Sequence, residues 1–154
     1  MMDELRDLYQ EVILDHGRNP RNFRHPEDAN RHAHGANPMC GDQLVVYLKL
    51  GATGLVEDVA FQGKGCAISM ASASLMTEIV VGKTEAQAHA LFHAFHQLVS
   101  QDAPPEVPAE LEEDFDRLQA LAGVREFPVR VKCATLAWHT LEAAVNGEDE
   151  ISTE

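Results

Sequence analysis

The sequence of 154 residues has few basic residues and no long apolar run. Only 12 lysines and arginines stand against 25 aspartates and glutamates, which argues against sequence-independent binding to nucleic acid or to an anionic membrane. No apolar stretch approaches the roughly 20 residues that a membrane-spanning helix needs, and the charged N-terminal segment from Met1 to Gln10 lacks the apolar core of a signal peptide. We therefore expect a cytoplasmic protein without nucleic-acid or membrane partners.

Cysteine is also scarce, with three residues, Cys40, Cys66 and Cys133. An odd number of widely spaced cysteines suits a disulfide framework poorly, and a reducing compartment would keep them as thiols. Their separations of 26 and 67 residues match no local zinc-finger spacing such as C-x2-C. The thiols therefore need an explanation other than cross-linking.

The remaining composition is that of an ordinary folded chain. Its hydrophobic content of 45% is enough to close one core, so we expect a single domain over residues 1–154. A proline-rich, acidic stretch and a short helix, together at about residues 101–123, are expected to form an insertion on the surface. Too few residues follow this insertion to build a second core.

Apolar spacing predicts the elements of the first half. The segment from Asp3 to His16 carries apolar residues at three- and four-residue steps, which predicts an amphipathic helix. Residues 18–38 are expected to be mostly loop, with room for one irregular strand before Cys40. The β-branched and aliphatic runs at residues 43–50 and 55–63 predict two strands joined as a hairpin.

The second half is expected to be mainly helical. Small and then larger apolar residues predict a helix that begins near Cys66. Thr84 and Gln87 resemble a capping box at the start of the next helix. We expect residues 109–121 to form a short helix, residues 127–131 to be extended, and residues 134–145 to form the last helix.

The three cysteines fall at junctions between the predicted elements. Cys40 precedes a strand, whereas Cys66 and Cys133 stand at the predicted starts of two helices. A thiol at a helix N-terminus lies at the positive end of the helix dipole, which lowers its pKa and makes the thiolate available. Gly41 would let the Cys40 loop turn tightly toward Asp42. We therefore expect the loops to be shaped for a site.

Together these residues would supply three thiolates and one carboxylate, from Cys40, Asp42, Cys66 and Cys133. Such a set completes a four-coordinate shell for zinc and would equally hold iron in a small iron-sulfur cluster. Three basic residues nearby could offset the negative charge of the centre, namely Lys64, Arg130 and Lys132. Free cysteine is also often buried as a small hydrophobic residue. The residues alone therefore also allow the interpretation that the three cysteines are unrelated members of the core.

Four segments in order resemble one known family. They are LYQEVILDHGRNPRNF at residues 8–23, NPMCGD at 37–42, FQGKGCAISMASASLMTE at 61–78 and VKCATLAWHTLE at 131–142. They resemble the SufU and IscU (NifU N-terminal-like) iron-sulfur cluster assembly scaffolds. The resemblance implies an α+β fold, with a small antiparallel sheet of about three strands and helices packed on it. Lys132, where cluster scaffolds typically have histidine, and the insertion at about residues 101–123 favour the SufU branch.

In SufU-type members the resemblance implies zinc held by Cys40, Asp42, Cys66 and Cys133. It also implies a sulfurtransferase-like role, in which the protein accepts persulfide sulfur from a pyridoxal-phosphate cysteine desulfurase of the SufS type rather than acting as a stand-alone enzyme. Cys40 is the predicted acceptor, because its loop contains Gly41 whereas the other two cysteines are anchored by helices. Downstream cluster assembly proteins or apo acceptor proteins would follow as further partners.

Other functions remain open at this stage. The same cysteines could carry a [2Fe-2S] cluster that is built on the protein and then transferred. Outside the family, Cys66 could be the nucleophile of a cysteine hydrolase, although the pattern offers no preferred base. A purely structural zinc module is a further possibility.

Overall fold

The computed structural model describes residues 2–100 and 105–152 of the chain. In these ranges the helices and strands are, in order, α1 (Met2–Arg18), β1 (Arg31–Asn37), β2 (Asp42–Leu50), β3 (Val56–Lys64), α2 (Ala67–Val80), α3 (Glu85–Ser100), α4 (Glu112–Leu118), α5 (Pro128–Val145) and β4 (Glu150–Ser152). Two 3-10 segments, Ala109–Leu111 and Gln119–Glu126, flank α4.

The strands form one sheet in the order β3-β2-β1-β4. β1 pairs with β2 and β2 with β3 in antiparallel register, which confirms the predicted hairpin and the α+β fold class. β4 pairs with β1 in parallel, so the described residues form a mixed sheet of four strands where about three antiparallel ones were predicted. β4 has only three residues, too few for an apolar repeat to be visible in the sequence.

One face of the sheet packs against α2 and α5. Burial alternates along β1, where Ala33, Gly35 and Asn37 face inward. A Cβ atom at Gly35 would overlap Oγ1 of Thr140 in α5, so the strand and the helix can approach this closely only with glycine at this position. The Asn37 end of β1 consequently reaches Cys133, which lies earlier in the same helix.

Buried polar groups connect the end of α1 to α2. Nδ1 of His16 lies 2.7 Å from Oγ of Ser74, and the backbone N–H of Arg21 donates to the same oxygen at 2.8 Å. Burial lowers the pKa of His16 from its ordinary value, and the positive charge of Arg21 lowers that pKa further. The net effect of this environment favours the neutral form of the imidazole, although the charge of Glu78, 3.9 Å from Nε2, acts in the opposite direction.

The start of α5 differs from the sequence prediction. Residues 128–131, which were predicted to be extended together with Phe127, are helical, because α5 begins at Pro128 rather than near residue 134. Proline fixes a helical φ angle at the first position of a helix, where its missing N–H has no cost. Two β-branched residues in the segment, Val129 and Val131, are instead typical of strands. Cys133 accordingly lies in the second turn of the helix and not at its start.

The insertion is only partly as predicted. The expected helix over residues 109–121 is divided into the two 3-10 segments and α4. Its apolar side chains are buried in the main core, namely Leu111, Phe115, Leu118 and Leu121. The single domain over residues 1–154 stays a prediction. No helix within the described ranges combines the length and the apolar character needed to cross a membrane.

Candidate metal and thiol site

Cys40 lies in the tight turn that joins β1 to β2. The backbone N–H of Cys40 donates to the carbonyl oxygen of Asn37 at 3.2 Å, and Gly41 follows with a φ of 72°. This left-handed conformation favours glycine and turns the chain back into β2. Asn37 and Asp42 are paired across the hairpin. The turn thus places Cys40 and Asp42 beside each other at one end of the sheet.

Cys66 caps the N-terminus of α2. Its sulfur accepts the backbone N–H of Ser69 at 3.5 Å, and its own backbone N–H donates to Oδ1 of Asp42 at 2.9 Å. A Cβ atom at position 65 would lie 2.5 Å from Oδ1 of Asp42, so Gly65 makes room for the carboxylate. The predicted placement of Cys66 at a helix start is confirmed.

Cys133 is the buried member of the set. It is completely shielded from solvent, and its sulfur lies 3.2 Å from the sulfur of Cys40. Burial raises the pKa of the Cys133 thiol, and hydrogen bonding with Cys40 raises it further. The expectation that a helix N-terminus lowers the pKa of Cys133 is therefore wrong, because the residue lies inside α5 and in the core.

The structure brings three of the four predicted ligands into one group. One donor atom each from Cys40, Asp42 and Cys133 lie within 4.8 Å of one another. Among the described residues Cys66 is not part of this group, but its backbone N–H is bonded to Asp42. Cys66 and Cys40 also line one surface pocket, together with residues 126–130.

Arg130 is the basic residue that acts most directly on the thiols. The negative charge of Cys66 and a hydrogen bond to its sulfur raise the pKa of the Arg130 guanidinium, and Cys133 adds a smaller effect. Arg130 and Cys133 are three residues apart in α5 and therefore share a face of the helix. Lys132 is exposed on the same helix, and Lys64 is exposed at the end of β3. The role of these two lysines stays a prediction.

The donor atoms fit a soft metal ion. Three sulfurs and one carboxylate oxygen are a ligand set that zinc accepts in tetrahedral geometry. Zinc–sulfur bonds of about 2.3 Å place two sulfur ligands about 3.8 Å apart, so a small adjustment of the 3.2 Å separation between Cys40 and Cys133 is sufficient. The space that Gly65 leaves for Asp42 is consistent with the same use.

Sequence reasoning missed two features of the site. Asn37 was considered only as part of a motif, although it is the last inward-facing residue of β1 and is fully buried. Exposed apolar side chains near the thiols were also missed. Phe127 and Val129, which line the pocket with Cys40 and Cys66, are 59% and 49% exposed, and Met39, which precedes Cys40 in the turn, is 68% exposed. Met39 could have been found from its position beside Cys40, whereas the other two come close only through the packing of α5.

Comparisons with known proteins find matches over nearly the whole chain. The family model that describes the NifU-like N-terminal domain matches residues 8–151 of this sequence. The zinc-dependent sulfurtransferase SufU of Bacillus subtilis is 40% identical over 147 residues, which cover 94% of each chain. The iron-sulfur cluster assembly scaffold protein IscU of Streptococcus pyogenes is 37% identical over 144 residues, which cover 94% of this chain and 86% of that protein.

Solved structures show the same fold. The structure of a putative iron-sulfur cluster assembly scaffold protein for the SUF system from Fervidobacterium islandicum superposes with a TM-score of 0.75 at 30% identity, and the match covers 88% of this chain and 94% of that one. The resemblance seen in the four sequence segments is thereby confirmed. The chain belongs to the NifU-like N-terminal domain family, which includes the SufU and IscU proteins.

Proposed function

We propose that this protein is a zinc-dependent sulfur acceptor of iron-sulfur cluster assembly, and that Cys40 receives sulfur from a pyridoxal-phosphate cysteine desulfurase. The observation that carries this proposal is the convergence of Cys40, Asp42 and Cys133 donor atoms within 4.8 Å, with Cys40 partly exposed. The relative from Bacillus subtilis, named as a zinc-dependent sulfurtransferase, supports the choice of metal and reaction.

Four residues would hold the metal, namely Cys40, Asp42, Cys66 and Cys133. Zinc bound there would keep its thiol ligands deprotonated and shield them from adventitious reaction. Cys66 and Cys133 are fixed by α2 and α5, while Asp42 is fixed by the N–H of Cys66. A carboxylate is a harder and weaker ligand for soft metals than thiolate, so we propose that Asp42 contributes to metal binding but keeps the shell more exchangeable than a fourth thiolate would.

Cys40 is the thiol best placed to leave the group and react. It is partly exposed, whereas Cys133 is buried. Cys66 is also partly exposed, but its sulfur caps α2 by accepting the N–H of Ser69, and its release would remove that cap. The Cys40 turn has one backbone hydrogen bond to Asn37 and a glycine after it, so its displacement disturbs no helix.

The proposed transfer exchanges one sulfur–sulfur bond for another. The thiolate of Cys40 attacks the outer sulfur of a desulfurase cysteine persulfide, which forms a persulfide on Cys40. The original sulfur–sulfur bond breaks, and its electron pair leaves on the desulfurase cysteine as thiolate. No external oxidant or reductant is required for this step.

Basic and apolar groups around the pocket support docking of the desulfurase. Arg130 lies at the thiols, and we propose that it stabilises their anionic forms during transfer, with Lys64 and Lys132 adding positive potential at longer range. Exposed Met39 and Phe127 would be covered by the partner when its persulfide approaches Cys40. The protein would thus act together with the desulfurase and pass sulfur on to cluster assembly or apo acceptor proteins.

The proposal is tested by mixing the protein with a cysteine desulfurase in two separate assays. With cysteine and a reductant, which releases the transferred sulfur, we expect desulfurase turnover to rise. With sulfur-labelled cysteine and no reductant, we expect mass spectrometry of alkylated peptides to locate the labelled persulfide on Cys40. Cys40→Ser should accept no sulfur, and Thr53→Ser, at an exposed position in the β2–β3 turn, is a matched control. Label on Cys66 or Cys133 while Cys40 stays unlabelled would contradict the assignment.

A cluster scaffold is the second candidate function. It is favoured by the relative from Streptococcus pyogenes, which is named as a scaffold protein, and by a donor set that also suits a [2Fe-2S] cluster. In that case added iron and sulfide should give a stable, transferable cluster on Cys40, Cys66 and Cys133 without a rise in desulfurase turnover. Tight stoichiometric metal in either case would exclude a cysteine hydrolase.

A further inference from the structure

Asn37 is a buried polar residue that contacts the candidate ligands without being one of them. It is the last residue of β1 and is 0% exposed. Its amide nitrogen lies 3.4 Å from Oδ2 of Asp42 and 3.6 Å from the sulfur of Cys133. One amide group, which has two hydrogens to donate, therefore lies within hydrogen-bonding reach of two different members of the donor set.

The backbone of Asn37 is also part of the site. Its carbonyl oxygen accepts the N–H of Cys40, which closes the turn that carries this cysteine. Asp42 in turn accepts the N–H of Cys66 on its other carboxylate oxygen. Asn37 is thus linked directly to Cys40, Asp42 and Cys133, and through Asp42 to Cys66.

The orientation of the amide follows from the charges around it. With the nitrogen inward, Asn37 offers donors to a carboxylate and a sulfur, which are both acceptors when ionised. The reverse orientation would place the amide oxygen against these same acceptors and would be repulsive. The nitrogen therefore faces the site.

This orientation leaves the other end of the side chain unsatisfied. Oδ1 of Asn37 is buried and has no hydrogen-bond partner among the described residues. Buried polar atoms without partners are rare in folded proteins, and an apolar residue of similar size would fill the position without this penalty. The residue is better explained by what its amide nitrogen does in the site than by packing.

We propose that Asn37 is a positioning residue that holds the Asp42 carboxylate and the Cys133 thiolate at a fixed separation for metal binding. This inference rests on the proposed zinc site. The side chain of Asn37 fixes the positions of Asp42 and Cys133, whereas it makes no hydrogen bond to the side chain of Cys40, which stays free to exchange. Hydrogen bonds to metal ligands typically change metal affinity about 10–100-fold when they are removed.

The experiment measures zinc release rather than sulfur transfer. Zinc-loaded wild type, Asn37→Leu and Asn37→Ala are mixed with a chromophoric chelator, and the rate of zinc dissociation is followed. Cobalt-substituted samples report the ligand geometry through their sulfur-to-metal absorption. Asn30→Leu is the matched control, because the side-chain amide of Asn30 also makes hydrogen bonds, to the backbone of Leu50 beyond the opposite end of β1, and does not touch the ligands.

We expect Asn37→Leu to release zinc about 10–100-fold faster and to change the cobalt spectrum, while Asn30→Leu stays within about twofold of wild type. If Asn37→Leu does not fold, Asn37→Ala, which removes the amide without adding bulk or charge, decides the outcome by the same criterion. If the Asn37 variants release zinc at the wild-type rate and keep the wild-type cobalt spectrum, even with lowered melting temperatures, the positioning role of Asn37 is overturned while the proposed function still stands. Failure of the wild type to retain zinc would overturn the proposed function as well.

Discussion

Two regions of this protein bury polar side chains, and they do so differently. At the α1–α2 junction His16, Ser74 and the N–H of Arg21 are joined by contacts of 2.7–2.8 Å. At the thiol site the contacts of Asn37 are 3.4 Å and 3.6 Å, and its Oδ1 has no partner among the described residues. The junction pairs its polar atoms with one another at short distances, whereas Asn37 places its amide nitrogen at the candidate ligands while its own Oδ1 stays buried without a partner among the described residues. A buried polar side chain that is not satisfied by its own packing is thus better explained by the groups on which it converges.

The largest expected effect comes from closing the space beside Asp42. Gly65→Ala would place a Cβ atom 2.5 Å from Oδ1 of Asp42 and displace the carboxylate from its bond to Cys66. We expect zinc affinity to fall about 10–100-fold, measured by competition with a chelator. Gly123→Ala is the control, because its Cβ atom would meet nothing within 4 Å. Equal zinc affinities of the Gly65→Ala and Gly123→Ala variants would show that the space beside Asp42 does not matter for metal binding.

A second, smaller effect is expected at the junction. Ser74→Ala leaves the N–H of Arg21 and the ring of His16 without their common partner, so we expect a loss of about 1–2 kcal/mol in the free energy of unfolding. Urea denaturation of the metal-free protein measures this loss. Zinc affinity should stay within about twofold of wild type, and a large change in that affinity would show that the junction and the site are coupled.

The smallest effect is a pH dependence at the same junction. The pKa of His16 is lowered in the folded protein, so the unfolded chain binds its proton first. The stability that the neutral ring contributes is fully present above the unfolded pKa of about 6.5 and is lost as pH falls through the range below it. Over that range we expect stability to decline by at most about 1.4 kcal/mol per pH unit.

His16→Gln should flatten this decline, as measured by urea denaturation of the metal-free protein between about pH 7.5 and 5.5. Burial also lowers the pKa of His139, but that residue remains in both proteins and its effect cancels in the comparison. An identical pH dependence in wild type and variant would show that His16 titrates as freely in the folded protein as in the unfolded chain.

Local patterns allowed much of the fold to be predicted. The capping box was confirmed, because Thr84 and Gln87 exchange hydrogen bonds at 3.0 Å and 3.1 Å. The β2–β3 hairpin was also confirmed. Its alternating apolar residues and turn glycines are local signals that extend over only a few residues, so they can be read from the sequence. The single-sequence pattern could not reveal β4, which is stabilised by pairing with β1 and carries no periodic signal of its own.

The site was predictable as a set of residues but not as a geometry. Its thiols come from a turn, a helix cap and a helix interior, and the burial of Cys133 depends on where α5 begins. Taking residues 127–131 as extended concealed that Arg130 and Cys133 are three residues apart in one helix and share a face. Asn37 was overlooked because a buried amide resembles an ordinary loop asparagine until its neighbours are known.

Gly35 carries no reactive atom, yet it sets how accurately the thiol chemistry is assembled. A methyl group there would push α5 outward from β1, since Oγ1 of Thr140 already occupies the space. Cys133 belongs to that helix and Asn37 to that strand, so their separation would widen together with the gap between the two elements. The tolerance of the site to sequence change is therefore limited by a position that a search for functional groups would pass over.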